Sequence, residues 1–435
     1  MKKKNFVPFL KDMKKDYTIL VPNMLPVHFK LMISVLKTYG YNMELLETEG
    51  PEIAETGLKY THNDACYPAI LVVGQFIHAL QSGKYDPKKT ALIMAQTGGG
   101  CRASNYISLI RKALSRAGYG HVPVISLSLT GLEKHPGFKL TVPMIFSLVY
   151  AVLYGDVLMS LSNQVKPYEK KEGSADALTG KWTEHLGREM GAGGKLSYSQ
   201  VLKNCRSIVS DFEKIETEAR DAVKVGIVGE IFVKYSPLAN NSLEKFLISE
   251  GAEPVVPGLL DFCIYCVYNR NTSCKLYKTQ KLRYPIYKLA YKLVTKKKDE
   301  ISDIISASGK FRGWTTFDKI ASLADGYINH AVVMGEGWLL TAEMLELSES
   351  GCKNIVCAQP FGCLPNHICG KGVMKHIKEK NPDVNILALD YDPGASRVNQ
   401  ENRLKLMLFN ARKNAQKSDK ISKEADNQPK IVHFT

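Results

Sequence analysis

The sequence lacks the long apolar segments of secreted and membrane-spanning proteins. The basic N-terminus is followed by a short apolar stretch, Phe6 to Leu10, which is too short for the core of a signal peptide. The most apolar run, Val142 to Gly155, is shorter than the ~20 residues that cross a bilayer, and we interpret it as a buried core helix. We therefore expect a soluble cytoplasmic protein whose ten cysteines are reduced.

Several common site motifs are also missing. The segment TGGG at 97–100 lacks the GK[ST] ending of a phosphate-binding P-loop, which makes nucleotide binding there a poor interpretation. Cys263 and Cys266 form a C-x2-C pair near Cys274, but no second close pair has the spacing of a zinc site. We predict that this apolar segment packs in the core. A second metal cluster is the alternative, and a zinc protein is a further one.

The chain is basic, with 58 Lys and Arg against 43 Asp and Glu and a formal net charge of +15. Much of the excess lies between Lys275 and Lys298, where nine basic residues occur without an acidic one. A solvated helix face is the simplest interpretation of such a run. A site for an anionic ligand or an acidic partner is the second. Nucleic-acid binding ranks last, because no known nucleic-acid fold signature accompanies the run.

With 435 residues, the chain is too long for a single core. Apolar strands alternate with amphipathic helices over short links, a pattern that predicts parallel, doubly wound sheets. We predict an α/β protein with two Rossmann-like (flavodoxin-like) lobes and additional helical segments. The predicted boundaries are 1–163 for the first lobe, 164–221 for a connector with helical pieces, 222–413 for the second lobe with a helical insertion at 261–331, and 414–435 for a polar disordered tail.

Three cysteines, Cys66, Cys101 and Cys363, stand where helices should begin. Cys101 and Cys363 each follow an apolar run that predicts a buried strand, and ligand sites of open α/β sheets form beyond the carboxyl ends of strands. If two such edges face each other across a cleft, these cysteines meet, with Cys66 coming from the first edge. Helix N-termini favour the thiolate form. Three thiolates fit a [4Fe–4S] cluster in which one iron keeps an open position.

Polar and small residues beside these cysteines are the further candidates. A run of three glycines before Cys101 is costly unless the backbone approaches something closely. Asp64 is placed to cap the helix at Cys66, and two glutamines follow the predicted strands, where they are placed to tune a cluster through hydrogen bonds to sulfide. We predict cofactor contacts for Gly98, Gly99, Gly100, Gln96, Gln359 and Asn63, and acid or base roles for Glu230, Glu336 and His62.

At these residues the chain resembles a known family. The segments NDACYPA, QTGGGCRASNY, GEIFVKYSPLANN, MGEGWLLTAEM, QPFGCLPNHICGKG and DYDPGASRVNQENRLKLML resemble the activase-associated branch of the 2-hydroxyacyl-CoA dehydratase superfamily, over roughly residues 17–410. The resemblance implies two Rossmann-like lobes and a [4Fe–4S] cluster on Cys66, Cys101 and Cys363. It also implies a separate ATP-hydrolysing iron–sulfur activase, which supplies one electron so that a 2-hydroxyacyl-CoA loses its hydroxyl through a ketyl radical.

The expected function is therefore ATP-driven one-electron reduction, most simply the dehydration of a 2-hydroxyacyl-CoA. One alternative is a double-cubane [8Fe–9S] reductase of another small substrate, which would use further cysteines. Another is a non-catalytic electron carrier or cluster scaffold. The expected partners are the activase and a CoA thioester or other small molecule, together with a homo- or heterodimer mate. Neither nucleic acid nor a membrane is expected.

Overall fold

The chain forms two α/β lobes, each with its own sheet, and a bundle of long helices that packs against both. The computed structural model describes residues 6–62, 64–96, 100–127, 133, 135–192, 196–278 and 281–426. Gly98, Gly99 and Asn63, all predicted cofactor contacts, lie outside the described residues. This architecture is consistent with the predicted pair of Rossmann-like lobes.

Each lobe is built on a four-stranded sheet whose neighbouring strands are all parallel. The order is β2-β1-β3-β4 in the first sheet and β6-β5-β7-β8 in the second, so the two sheets repeat one arrangement. Their strands are rich in buried Val, Ile and Leu, as expected for sheets covered by helices on both faces. The strands are β1 Thr18–Pro22, β2 Met43–Leu46, β3 Thr90–Ala95, β4 Val124–Leu127, β5 Val223–Gly229, β6 Ala252–Val255, β7 Asn354–Pro360 and β8 Asn385–Tyr391.

This order places a topological switch point in each sheet, between β1 and β3 and between β5 and β7. The chain turns to opposite sides of the sheet after the two central strands, which opens a crevice beyond their carboxyl ends. The loop after β3 carries Cys101, the loop after β7 carries Cys363, and Glu230 follows β5 directly. The fold therefore brings these predicted residues to the carboxyl edges of the sheets.

Seventeen helices cover the sheets and form the bundle among the described residues. Those of the first lobe and its connections are α1 Met13–Asp16, α2 Pro26–Thr38, α3 Pro51–Tyr60, α4 Tyr67–Gln81, α5 Tyr106–Arg116, α6 Val142–Val165, α7 Ser174–Gly191 and α8 Tyr198–Glu213. Those that follow are α9 Ile231–Tyr235, α10 Pro237–Asn240, α11 Leu243–Ser249, α12 Leu259–Tyr277, α13 Tyr284–Ser306, α14 Phe317–Leu323, α15 Gly337–Glu349, α16 Met374–Lys380 and α17 Arg397–Asp426.

The segment expected to be a connector, 164–221, is part of the helical bundle. Its helices α7 and α8 bury Leu186, Cys205 and Phe212 in one core with α6, α12, α13 and α2. Asp156 of α6 ties this bundle together, because its carboxylate accepts hydrogen bonds from the backbone N–H groups of Leu259 and Leu260, each at 2.8 Å. The bundle thus holds the start of α12 in place.

Helix α6 is longer than the sequence suggested. It runs for 24 residues, Val142–Val165, because its apolar character continues beyond Gly155. Among the described residues it is the one helix long and apolar enough to cross a membrane, but 61% of that stretch is buried inside the protein. Buried core helices pass the same test, so the burial of α6 agrees with its interpretation as a core helix.

Two other segments differ from their predicted structure. The sequence SPLANNSLEKFLISEG predicts a single helix, but the structure divides it into α10 and α11, because Asn241 and Ser242 adopt positive φ angles of 56° and 57° between them. The polar segment 414–435 was expected to be disordered. Helix α17 instead continues to Asp426, in keeping with the high helix propensity of its Lys, Ala and Glu residues, and residues 427–435 lie outside the described range.

Candidate functional site

Each of the three predicted cysteines precedes helical residues. Cys66 is the N-cap residue of α4, and Cys101 is the N-cap residue of a 3-10 turn, Arg102–Asn105, that leads into α5. Cys363 follows β7, and helical residues begin directly after it. The predicted strands before Cys101 and Cys363 are confirmed as β3 and β7.

The loops that carry these cysteines meet where the two lobes touch. The backbone N–H of Tyr67, next to Cys66, donates a 3.0 Å hydrogen bond to the carbonyl of Phe361 in the other lobe. Cys101 is close enough to both Cys66 and Cys363 for their charges to influence one another. The structure therefore brings the three predicted thiols to one inter-lobe site.

Glycines make this close approach possible. A Cβ atom on Gly362 would lie 3.1 Å from Cys66 Cα, and one on Gly335, which contacts Cys101 Sγ, would lie only 3.0 Å from Cγ of Pro365 in the loop of Cys363. Both glycines have positive φ angles, +72° and +56°, which L side chains rarely adopt. Gly100 fits the same pattern, because a Cβ there would lie only 2.4 Å from the sulfur of Met334. This contact explains at least one glycine of the run before Cys101.

Burial, rather than the helix termini, decides the protonation of the thiols. Burial raises the pKa of Cys101 to about 11, and it raises the pKa values of Cys66 and Cys363 as well. Two hydrogen bonds oppose it: the Tyr106 hydroxyl lies 3.1 Å from Cys66 Sγ, and the Ala103 N–H donates to Cys101 Sγ at 3.5 Å. The expected preference for thiolate is therefore wrong for the metal-free protein. Metal loading would have to release these protons.

Two carboxyl groups lie beside the thiols, as the sequence suggested for Glu230 and Glu336. Glu230 is the N-cap residue of α9 and accepts a 2.9 Å hydrogen bond from the Val233 N–H. Glu336 stands at the start of α15 and accepts a 2.9 Å hydrogen bond from the Ile231 N–H, next to Glu230. The negative charges of both raise the pKa values of the Cys101 and Cys363 thiols, which places the pair at the cysteine site.

Burial favours the protonated form of both carboxyl groups. Burial, followed by the charge of Glu336, raises the pKa of Glu230 to about 8. Burial also raises the pKa of Glu336. Two neighbouring buried carboxyls resist being ionised together. The pair is therefore suited to donate a proton to a group bound between the lobes.

The two predicted glutamines behave differently. The Nε2 atom of Gln359 donates a 2.7 Å hydrogen bond to Nδ1 of His367, while its buried Oε1 atom has no partner among the described residues. Both amide atoms of Gln96 form hydrogen bonds within the first lobe. Its Nε2 atom donates to the Ser104 carbonyl at 2.9 Å, and its Oε1 atom accepts from the Ser126 hydroxyl at 2.7 Å. The predicted contact of Gln96 with a cluster is therefore not supported, because its amide holds its own loop instead.

The predicted role of His62 is not supported, and the predicted cap role of Asp64 is wrong. The side chains of both are more than 70% exposed, and they pair with each other at 3.3 Å. Among the described residues, no side chain caps the start of α4, so Asp64 does not act as its cap. The chain turns outward before Cys66, which no local pattern in the sequence signals.

Sequence reasoning missed several residues that surround the site. Tyr106, at the start of α5, is buried and hydrogen-bonded to Cys66. In the sequence it resembles any aromatic residue of a hydrophobic core. Cys266 and Cys369 lie near enough to Glu336 for its charge to raise their pKa values. Lys234 of α9 forms a buried ion pair with Glu343 of α15 at 3.0 Å. Only the packing of α9, α12 and α15 reveals these neighbours.

The arrangement is not that of a single-ion site. In the part of the chain that the structure describes, no three His, Cys, Asp or Glu side chains are grouped closely enough to hold one metal ion. Cys263 and Cys266 lie one turn apart on α12 and pack against the bundle core, as predicted. The thiols of a cubane bind separate iron corners, so they stand farther apart than the ligands of one ion.

The comparisons with known proteins add no family. No protein-family model matches the chain, and no curated protein is significantly similar to it. The resemblance to the 2-hydroxyacyl-CoA dehydratase superfamily therefore stays a prediction, supported by the motifs quoted above. The geometry of the cysteines and carboxyl groups is the main basis for a functional conclusion.

Proposed function

We propose that the chain is an iron–sulfur enzyme in which Cys66, Cys101 and Cys363 hold a [4Fe–4S] cluster. Its reaction would be the dehydration of a 2-hydroxyacyl-CoA, driven by one electron from a separate ATP-hydrolysing activase. One observation carries the proposal: three thiols from loops of both lobes converge beside the buried carboxyls of Glu230 and Glu336. Cytoplasmic location belongs to the same proposal.

The residues present fit such a cluster. Cysteine thiolates are its usual ligands, and of these three Cys66 and Cys363 are buried between the lobes while Cys101 is partly buried. The unpartnered Oε1 atom of Gln359 is a buried polar group that lacks a partner among the described residues. When bound, the cluster would supply a low-potential electron and an iron position that acts as a Lewis acid.

The protein would supply the protons. A hydroxyl group leaves a substrate most easily as water, which requires a proton from a neighbouring acid. The pKa of about 8 keeps the carboxyl of Glu230 protonated at neutral pH, and burial also raises the pKa of its neighbour Glu336, so Glu230 can protonate the departing oxygen at the cysteine site. The contact between the lobes would exclude bulk water from the reaction.

Metal analysis after anaerobic purification tests the cluster. We expect about four irons per chain and an EPR signal on reduction. Serine substitution of Cys66, Cys101 or Cys363 should lower the iron content. Cys352→Ser is the matched control, because Cys352 precedes the amino end of β7 and already donates to the Asn354 carbonyl, a bond that serine can keep. Iron-free protein, or equal iron in all four variants, would end the proposal.

Turnover distinguishes the enzyme from its alternatives. With activase and ATP, loss of water from a 2-hydroxyacyl-CoA is expected, and absence of turnover across a broad panel of thioesters would favour an electron carrier. The double-cubane alternative keeps one specific support, because Cys266 and Cys369 lie near Glu336. An iron content of about eight per chain would favour it.

A further inference from the structure

The helical hairpin formed by α12 and α13 exposes large apolar side chains at the end where the two helices are joined. Leu282 is 95% exposed, although leucine is normally buried. The same end carries five more exposed apolar side chains: Leu276, Tyr277, Ile286, Leu289 and Leu293. We call these six residues, with the basic residues between them, the hairpin end.

Apolar and basic side chains form two adjacent stripes along α13. Ile286, Leu289 and Leu293 recur at helical spacing and share one stripe. Lys288, Lys292 and Lys296 are spaced four apart and form the stripe beside it. All three lysines are exposed, and Lys296 also reaches Glu300 at 3.7 Å.

The face opposite these stripes anchors α13 in the bundle. Tyr291 packs against Tyr268 and Phe317, with ring centroids 5.8 and 6.2 Å apart. Farther along, the buried Lys298 is paired with Asp261 of α12. These contacts anchor α13 in the bundle from Tyr291 onwards and leave its opposite face exposed.

Helix α6 contributes exposed apolar residues at the same end of the bundle. Lys297 of α13 lies 5.4 Å from the Tyr150 ring of α6. Farther along, Trp314 donates to the Ser160 hydroxyl of α6 and accepts a hydrogen bond from Ser302 of α13, so the two helices run in the same direction. From the contact at Tyr150 back to its first residue, α6 is about 12 Å long and α13 about 20 Å long, at 1.5 Å per residue. The first residues of both helices therefore lie on the same side of that contact. The first turns of α6 expose Val142, Ile145 and Phe146.

We propose that this end of the bundle docks on an anionic lipid bilayer surface. Helices that lie in a membrane interface combine an apolar face with a lysine-rich polar face and are not strongly apolar as a whole. Clusters of four to eight basic residues on such helices bind anionic lipids. The hairpin end meets both conditions, and no acidic residue between Lys275 and Lys298 weakens the attraction.

The type of basic residue favours a membrane over an acidic protein. Eight of the nine basic residues in this segment are lysines, and Arg283 is the one arginine. Protein interfaces are enriched in arginine and depleted in lysine, whereas lysine stems extend along apolar surface towards headgroups. Peripheral docking needs no spanning segment, and it revises the expectation that the chain has no membrane partner. It does not depend on the proposed enzymatic activity.

Sedimentation of the full chain with lipid vesicles tests this inference. We expect binding to vesicles of phosphatidylcholine and phosphatidylglycerol in equal amounts, weaker binding in high salt, and little binding to phosphatidylcholine alone. Lys288→Gln, Lys292→Gln and Lys296→Gln together should weaken binding roughly a hundredfold, since each basic residue near the surface contributes about fivefold. The control replaces Lys112, Lys245 and Lys375, exposed lysines of other helices, with Gln and should retain binding.

A second variant tests the apolar stripe. Replacing Ile286, Leu289 and Leu293 with Gln should weaken vesicle binding at least about tenfold, because apolar burial adds to the electrostatic attraction. Its control places Gln at three apolar positions of α17 that are also about 60% exposed, Val398, Leu406 and Phe409. The inference is overturned if the wild-type chain ignores anionic vesicles, or if each variant binds like its control. It is also overturned if the chain binds polyglutamate as tightly as it binds anionic vesicles and the variant of the apolar stripe binds these vesicles as tightly as the wild type.

Discussion

Replacing Glu230 with Gln should change the stability of the protein in opposite directions at low and high pH. Burial and the neighbouring Glu336 raise the pKa of Glu230 from its ordinary 4.5 to about 8 in the folded chain. Between these two values the folded state binds more protons than the unfolded state. The contribution of this carboxyl to the free energy of unfolding is therefore fully present below pH 4.5 and is lost as the pH rises towards 8. Glutamine has no such proton to lose.

The size of the effect follows from the pKa shift. One pKa unit corresponds to about 1.4 kcal/mol, so the full shift represents about 5 kcal/mol above pH 8. This is an upper value, because Glu230 keeps some contact with solvent. Glutamine is also a weaker N-cap for α9, which costs about 1 kcal/mol at every pH. We expect Glu230→Gln to destabilise by about 1 kcal/mol near pH 5 and to stabilise by about 2–4 kcal/mol near pH 9.

Thermal unfolding of metal-free protein over this pH range measures the difference. The melting temperature of the variant should lie below that of the wild type in acid and above it in alkali, by several degrees at the alkaline end. Glu184→Gln, at an exposed position of α7, should follow the wild type at every pH. A constant difference between Glu230→Gln and wild type across the range would refute a raised pKa of this carboxyl.

Three further substitutions probe contacts that only the fold reveals. Asp156→Ala should lower the free energy of unfolding by about 3–5 kcal/mol in denaturant titrations, because it leaves a buried histidine and two backbone N–H groups unpaired. Lys234→Met should cost a similar amount by isolating the buried Glu343, and the double variant with Glu343→Leu should recover most of it. Tyr106→Phe removes the hydrogen bond to Cys66 Sγ and should lower the reduction potential of the reconstituted cluster in an EPR-monitored titration, with iron content unchanged.

The sequence by itself determined the alternation of strands and helices and the position of the cysteines within it. Apolar runs ending at Ala95 and Pro360 predicted β3 and β7, because buried parallel strands are continuously apolar. The same pattern placed Glu230 just after β5. These are local properties, since strand and helix signals depend on residues a few positions apart.

Local patterns did not determine the packing between distant segments. They did not reveal that α7 and α8 join a common bundle, or that His62 turns outward while Tyr106 turns in. Nor did they give the protonation of the thiols, because the dipole of a helix start is visible in the sequence and the burial that outweighs it is not. Local patterns also did not reveal that the apolar stripe on α13 is exposed. A helix shows the same apolar spacing whether or not another element covers it, and only the tertiary structure decides which surfaces are left open.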